Sequence, residues 1–132
     1  MPERRINTPI PPIPSFVWGN WAPTLIWAPA APTITALVAR RFTFGGFMWY
    51  HINILVNNAT GAPVTDLIVA DMPALAAYGA PGQALQWAGG IFAGASATGI
   101  AGGTDLLENL EGWAPLADGD NGIYILEGFY EV

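Results

Sequence analysis

The sequence predicts an all-β fold, an antiparallel β-sandwich preceded by an extended Pro-rich N-terminal arm. Three observations carry this. Two alternating runs flank Gly45-Gly46, further short alternating runs follow at short intervals, and prolines and glycines punctuate the chain between them. Period-two alternation marks a strand with one buried face, and short strands separated by Pro/Gly turns favour a sandwich over an α/β fold. The expected boundaries are an arm over residues 1–17 and one β domain over 18–132.

The arm comes first. Pro9, Pro11, Pro12 and Pro14 favour extended polyproline conformation and remove the N–H donors that a central strand needs. Ile6, Ile10, Ile13, Phe16 and Trp18 make the segment too apolar for an ordinary solvated tail. It is therefore expected to dock on a neighbouring subunit, where burial of the three isoleucines contributes roughly 4 to 9 kcal/mol before ordering costs. The charged start followed by prolines, in place of an apolar run, does not read as a signal peptide.

A first strand is expected near Thr24–Trp27, and 28–32 is a proline-limited loop. The long hairpin follows. Ile34, Ala36 and Val38 alternate with Thr33, Thr35, Leu37 and Ala39 on the way in. On the way out, Met48, Tyr50, Ile52 and Ile54 alternate with Trp49, His51, Asn53 and Leu55. The Gly pair supplies the positive φ of a tight turn. Residues 57–63 form the next turn and Val64–Ala70 a further strand. Asn58-Ala59-Thr60 fits a glycosylation sequon, which an Asn- and Gly-rich loop matches readily by chance.

From Asp71 to Gly103 the chain is rich in Ala and Gly. Ala84–Phe92 and Ala95–Ile100 read as short strands, whereas Pro73–Tyr78 has some helical propensity but too little length to define the class. Thr104–Leu110 reads either as a capped helical turn or as a strand. Asp118–Gly122 is a strong turn, and Ile123–Val132 a terminal strand with Tyr124, Leu126, Gly128 and Tyr130 on one face.

Composition narrows the function classes. The 132 residues suit one domain, 52% are apolar, and only 11% are charged. So little charge leaves a surface poorly defended against association, and it is expected to be covered by other copies or by a partner. The net charge is −6, and Arg40-Arg41 is too small a basic patch to bind nucleic acid; the pair reads as a solvated strand end, while Arg4 and Arg5 could pair with acidic groups on a neighbour. The long uncharged stretches are broken by Pro, Gly and polar residues, so no membrane span is expected. With no cysteine, disulfide and thiolate chemistry are both absent.

Candidate chemistry is thin, and no enzyme is expected. His51 is the sole histidine, so a catalytic triad would have to be built on it. It lies opposite Tyr50, Ile52 and Ile54, where a strand histidine at an inter-subunit surface is the better reading. One histidine and no cysteine exclude ordinary structural zinc sites, and no cofactor is implied. Asp118 and Asp120 share the i, i+2 spacing of calcium loops without the bidentate Glu of an EF-hand; the turn accounts for them, and calcium remains open if other loops or subunits add ligands. Asp105, Glu108 and Glu111 would share a face only on a helix, and a solvated face is their default reading. Of the six tryptophans, Trp18, Trp21 and Trp27 suit packing, whereas Trp87 and Trp113 lie near predicted loops and are the better candidates for stacking on sugar rings.

The order of several segments resembles a small β-sandwich domain of tailed-phage structural proteins, found on tail fibres and as capsid decoration proteins. The resemblance is carried by Trp21-x-Pro23-Thr24-Leu25, the strand end Ala39-Arg40-Arg41-Phe42, and Gly46 with Met48–Ile54. It continues in Leu67–Pro73, Trp113-Ala114-Pro115 to Asp120, and the closing Gly128–Val132. It spans about residues 18–132 and omits the arm. Two departures stand out: Arg41-Phe42-Thr43-Phe44 replaces a Tyr-rich strand, and the middle third is richer in Ala and Gly.

The resemblance implies a jelly-roll-like sandwich, commonly trimeric, used for assembly or attachment without catalysis. The expectation is a virion structural protein, a capsid decoration or cement protein on the capsid surface. It would bind itself as a homotrimer and the major capsid protein or another virion protein. The short chain with a sticky arm and no fibrous shaft favours decoration over fibre. Ile6, Ile10, Ile13, Phe16, Trp18, Trp49, His51 and Leu55 are the expected interface residues. The alternative is a tail-fibre or receptor-binding adhesin on the virion tail, binding a host glycan through Trp87 and Trp113.

Overall fold

Glycine sets the turn of the longest hairpin. Gly45 and Gly46 adopt φ of 60° and 82°, a left-handed pair that closes a two-residue connection with the twist of its strands. The computed structural model describes residues 18–109 and 113–132. Among these, β1 (Gly19–Asn20), β2 (Thr24–Ala28), β3 (Thr33–Phe44), β4 (Phe47–Asn57), β5 (Asp66–Ala70), β6 (Ala80–Ala88), β7 (Ile91–Ile100), β8 (Leu107–Asn109) and β9 (Asn121–Glu131) form one antiparallel sheet. Its order is β1-β3-β4-β9-β6-β7-β8-β5-β2.

The sheet curls on itself. β2 lies five strands from β9, about 24 Å across a flat sheet, yet the Trp27 and Tyr124 ring centroids are 5.3 Å apart. Curling encloses a core built from the inward set of β4 (Met48, Tyr50, Ile52, Ile54, Val56), from Tyr124, Leu126 and Tyr130 of β9, and from Leu67, Val69 and Leu107 opposite them. The last strand, β9, is inserted between the two hairpins, pairing with β4 over its whole length and with β6 over seven positions.

Several expectations are corrected. On β3 the inward residues are Leu37 and Ala39, while Ile34 and Val38 are exposed. A register irregularity between Ile34 and Ala36 reverses the alternation set at the strand's start. Pro73–Tyr78 forms no helix, and residues 107–109 are strand, so Asp105 and Glu108 share no helical face; Glu111 lies outside the described residues. Arg41 is not a solvated strand end: it is half-buried on the inward set beside Ala39, close enough to Tyr130 to act on its charge. Asn58 of the sequon is fully buried and donates to the Ala62 and Leu116 carbonyls at 2.8 and 2.9 Å, while its Oδ1 accepts from the Thr60 hydroxyl at 2.7 Å. It pins the 57–63 turn and offers no amide for modification.

One inward row spans four strands: Tyr50, Gly128, Gly82 and Thr98 are consecutive cross-strand partners. The Tyr50 ring lies over the two glycines. A Cβ at Gly128 would stand 2.7 Å from Tyr50 Cζ, and one at Gly82 would stand 2.7 Å from Thr98 Oγ1. Burial pushes the Tyr50 hydroxyl up to about 12, opposed in part by the nearby Thr98 hydroxyl. Burial likewise pushes Tyr130 up to about 12, opposed by its hydrogen bond to the Ala74 carbonyl at 2.7 Å.

Two outcomes follow for stability. Gly128→Ala is expected to lower unfolding free energy by about 1–3 kcal/mol through overpacking against Tyr50, measured by denaturant titration; an unchanged midpoint would show that the ring moves aside without loss. The two tyrosines sit above their ordinary value of 10.0, so the folded state holds their protons longer than the unfolded chain. Their contribution is complete below about pH 10 and lost as the pH rises towards about 12. Tyrosinate absorbance is expected to rise together with loss of β-sheet circular dichroism. Full ionisation with the sheet intact would contradict it.

Candidate functional site

Period-two alternation leaves the odd residues of β4, β9 and β6 facing away from the core, and this outer face carries the most distinctive chemistry in the molecule. Residues pair across it in rows. Phe42, Trp49 and Phe129 form one row, and Arg40, His51, Glu127, Gln83 and Ala97 form the next. Val38, Asn53, Ile125, Leu85 and Ala95 form a third. A narrow polar line thus runs between an aromatic and a mainly aliphatic border.

The aromatic border is a continuous stack. Phe42 and Trp49 are nearly parallel (8°, centroids 5.8 Å), and Trp49 and Phe129 are stacked at 4.4 Å. Trp18 meets Phe42 edge-on at 4.6 Å, and Phe47 meets Phe129 at 6.1 Å. Such pairs contribute about 0.5–1.5 kcal/mol each beyond burial, but the stack remains open to water: Trp49 is 38%, Trp18 42% and Phe129 47% exposed. The exposed rings thus form one contiguous aromatic strip along the edge of the groove-bearing face.

A groove of about 1000 Å³ crosses the face. Trp18, Trp49 and Phe129 line one side, with Pro81 next in register beyond Phe129; Arg40, His51, Glu127, Gln83 and Ala97 run along it, and Ala95 lines the far side. Tyr50, Gly82 and Gly128, whose Cα atoms lie between these outward residues, also line it. His51 Nδ1 lies 2.9 Å from Glu127 Oε1. That pair can hold a charge or a hydrogen-bonding ligand group, but among the described residues no three His, Cys, Asp or Glu side chains are grouped as a metal site would require. The Asp118 carboxylate accepts the Gly61 N–H at 2.9 Å, stitching two turns together.

The structure brings Trp18, Trp49 and His51 to this groove and puts Leu55 on the same face further along β4. Ile6, Ile10, Ile13 and Phe16 lie outside the described residues. Trp87 is half-buried and edge-packed on Phe92 at 5.4 Å. Trp113 is 7% exposed and packs edge-on against Tyr124 at 5.3 Å, so no ring face is open there for a sugar. Sequence reasoning missed Phe42, Phe129, Arg40, Glu127 and Gln83 as members of one site. Phe129 and Glu127 occupy the outward set of the terminal strand, a signal that was present, but their pairing with Trp49 and His51 depends on where β9 inserts.

Searches of protein-family models, of curated proteins and of solved structures each return no match. The site is therefore read from its geometry.

The His51–Glu127 pair sits in water, where an ion pair contributes little. Glu127→Gln is expected to change unfolding free energy by less than about 1 kcal/mol. A larger loss on denaturant titration would make the pair a structural element and not a feature of the groove.

Proposed function

We propose that the protein is a non-catalytic structural subunit that assembles through the outer face of β3, β4, β9 and β6, in its most specific form a capsid decoration protein bound to the capsid surface as a trimer. The carrying observation is the exposed aromatic stack with so little charge around it. Water-exposed Trp and Phe rings at the centre of a face are the anchors that protein interfaces bury. The curling of β2, β5 and β8 over the inner side of β4 and β9 supports a jelly-roll-like sandwich, the architecture that the resemblance to phage structural domains implies.

The second reading is a tail-fibre adhesin, with a host glycan in the groove. What favours it is the polar row Arg40, His51, Glu127 and Gln83 beside aromatic rings. What weighs against it is ring geometry. A sugar stacks on an open face, whereas Phe42 and Phe129 take the two sides of Trp49.

Light scattering on the full chain is expected to give an oligomer that Trp49→Ser converts to smaller species, and particles lacking the protein are expected to rupture at lower temperature than decorated ones. A monomer at micromolar concentration, unaltered by Trp49→Ser, would refute the assembly reading. Saturable binding to purified host glycan, abolished by the same substitution, would establish the adhesin instead.

A further inference from the structure

The groove and the arm have matching chemistry. Residues 9–14 read Pro-Ile-Pro-Pro-Ile-Pro, so four of six positions lack an N–H. Such a segment cannot extend the sheet at an edge strand, because strand addition needs those donors. It binds through ring and side-chain packing on an aromatic-lined groove, the recognition mode of polyproline helices. The outer groove supplies a wall of Trp18, Trp49 and Phe129, and its roughly 1000 Å³ reaches the upper end of the range for small-molecule sites, with room for several residues of chain.

The polar groups match as well. A polyproline segment has no internal hydrogen bonds, so all its carbonyls seek donors. Arg40 and Gln83, along the groove, are donor-bearing side chains, while the small Ala97 at the end of that row and Ala95 on the far side leave space.

Chain direction decides which copy supplies the arm. Gly19 pairs with Arg41 and Asn20 with Arg40, and Trp18 packs on Phe42, so from Asn20 back to Trp18 the chain runs along β3 towards its Gly45-Gly46 end. The groove instead crosses β4, β9, β6 and β7, so seating residues 9–14 in the groove of the same copy would require the chain to reverse within residues 15–17. Residues 9–14 stand four to nine positions before Trp18, a reach of roughly 12–28 Å at about 3.1 Å per residue, enough to meet a neighbouring copy packed at this edge.

We infer that residues 9–14 of one copy occupy the outer groove of a second copy. Each copy then gives one arm and receives one, a heterologous contact that closes into a ring when the rotation permits. This inference rests on the assembly reading above and names the contact that would produce it.

The chain contains no cysteine, so introduced thiols report contacts without background. Full-length chains carrying Ile10→Cys are mixed with chains carrying Gln83→Cys under a mild oxidant. The control partner is Leu75→Cys, an exposed position outside the groove. The expected result is a mixed disulfide dimer at roughly tenfold or more over the control, reflecting the raised local concentration of a docked segment. A doubly substituted Ile10→Cys, Gln83→Cys chain is expected to form linked oligomers; closure within single chains would overturn delivery between copies. Mixed dimer no greater than the control, from protein that still scatters as an oligomer, would overturn the arm contact and leave the assembly reading standing. The same result from a monomer would remove both.

Discussion

The outer face depends on one contact on the inner face, the Tyr50 ring laid across Gly128 and Gly82. Those glycines are the cross-strand partners that let a large ring lie flat between β4, β9, β6 and Thr98 of β7. A slip of one residue between these strands would bring side chains under the ring and turn the whole inward set outwards. Because register is held there, the residues next in line, His51, Glu127 and Gln83, are held in one row on the other side. The polar line of the groove is thus a consequence of packing in the core.

The outer face of these strands departs from that of a typical half-exposed sheet. An antiparallel sheet with one solvated side normally alternates apolar inward and polar outward. Here Phe42, Trp49, Phe129, Val38, Ile125 and Leu85 take the outward positions, and charge is confined largely to one row. Exposed apolar side chains are found elsewhere too, at Leu75, Tyr78 and Ile91, but on this face they stand in contiguous rows. The rings stand stacked against one another, with Trp49 between Phe42 and Phe129.

Much of the fold was legible in the residues. Gly45-Gly46 between alternating runs gave the β3–β4 hairpin, the alternation of Tyr124, Leu126 and Tyr130 gave the inward set of β9, and the separation of Trp49 and His51 from Tyr50 and Ile52 gave the two faces of β4. Legibility failed where local pattern has no unique solution. Leu107 alone is buried in its short strand, too little periodicity to separate helix from strand over 104–110. The irregularity after Ile34 reversed the faces of β3, and Trp113, placed near a loop by its neighbours, turned into the core against Tyr124.

The sequence by itself determined the β3–β4 hairpin with its turn and the inward and outward residues of β4 and β9, because alternation and glycine conformation act over a few residues; the expected strand Ala84–Phe92 instead runs through a turn at Gly89-Gly90 between β6 and β7. Only the tertiary structure decided that β9 lies between β4 and β6, that Trp49 stacks between Phe42 and Phe129, and that Arg40, His51, Glu127 and Gln83 form one line. Trp49 and Phe129, which stack on each other, are 80 positions apart in the chain. Which strands become adjacent is set by the burial of the whole curled sheet, a global competition that no local pattern encodes.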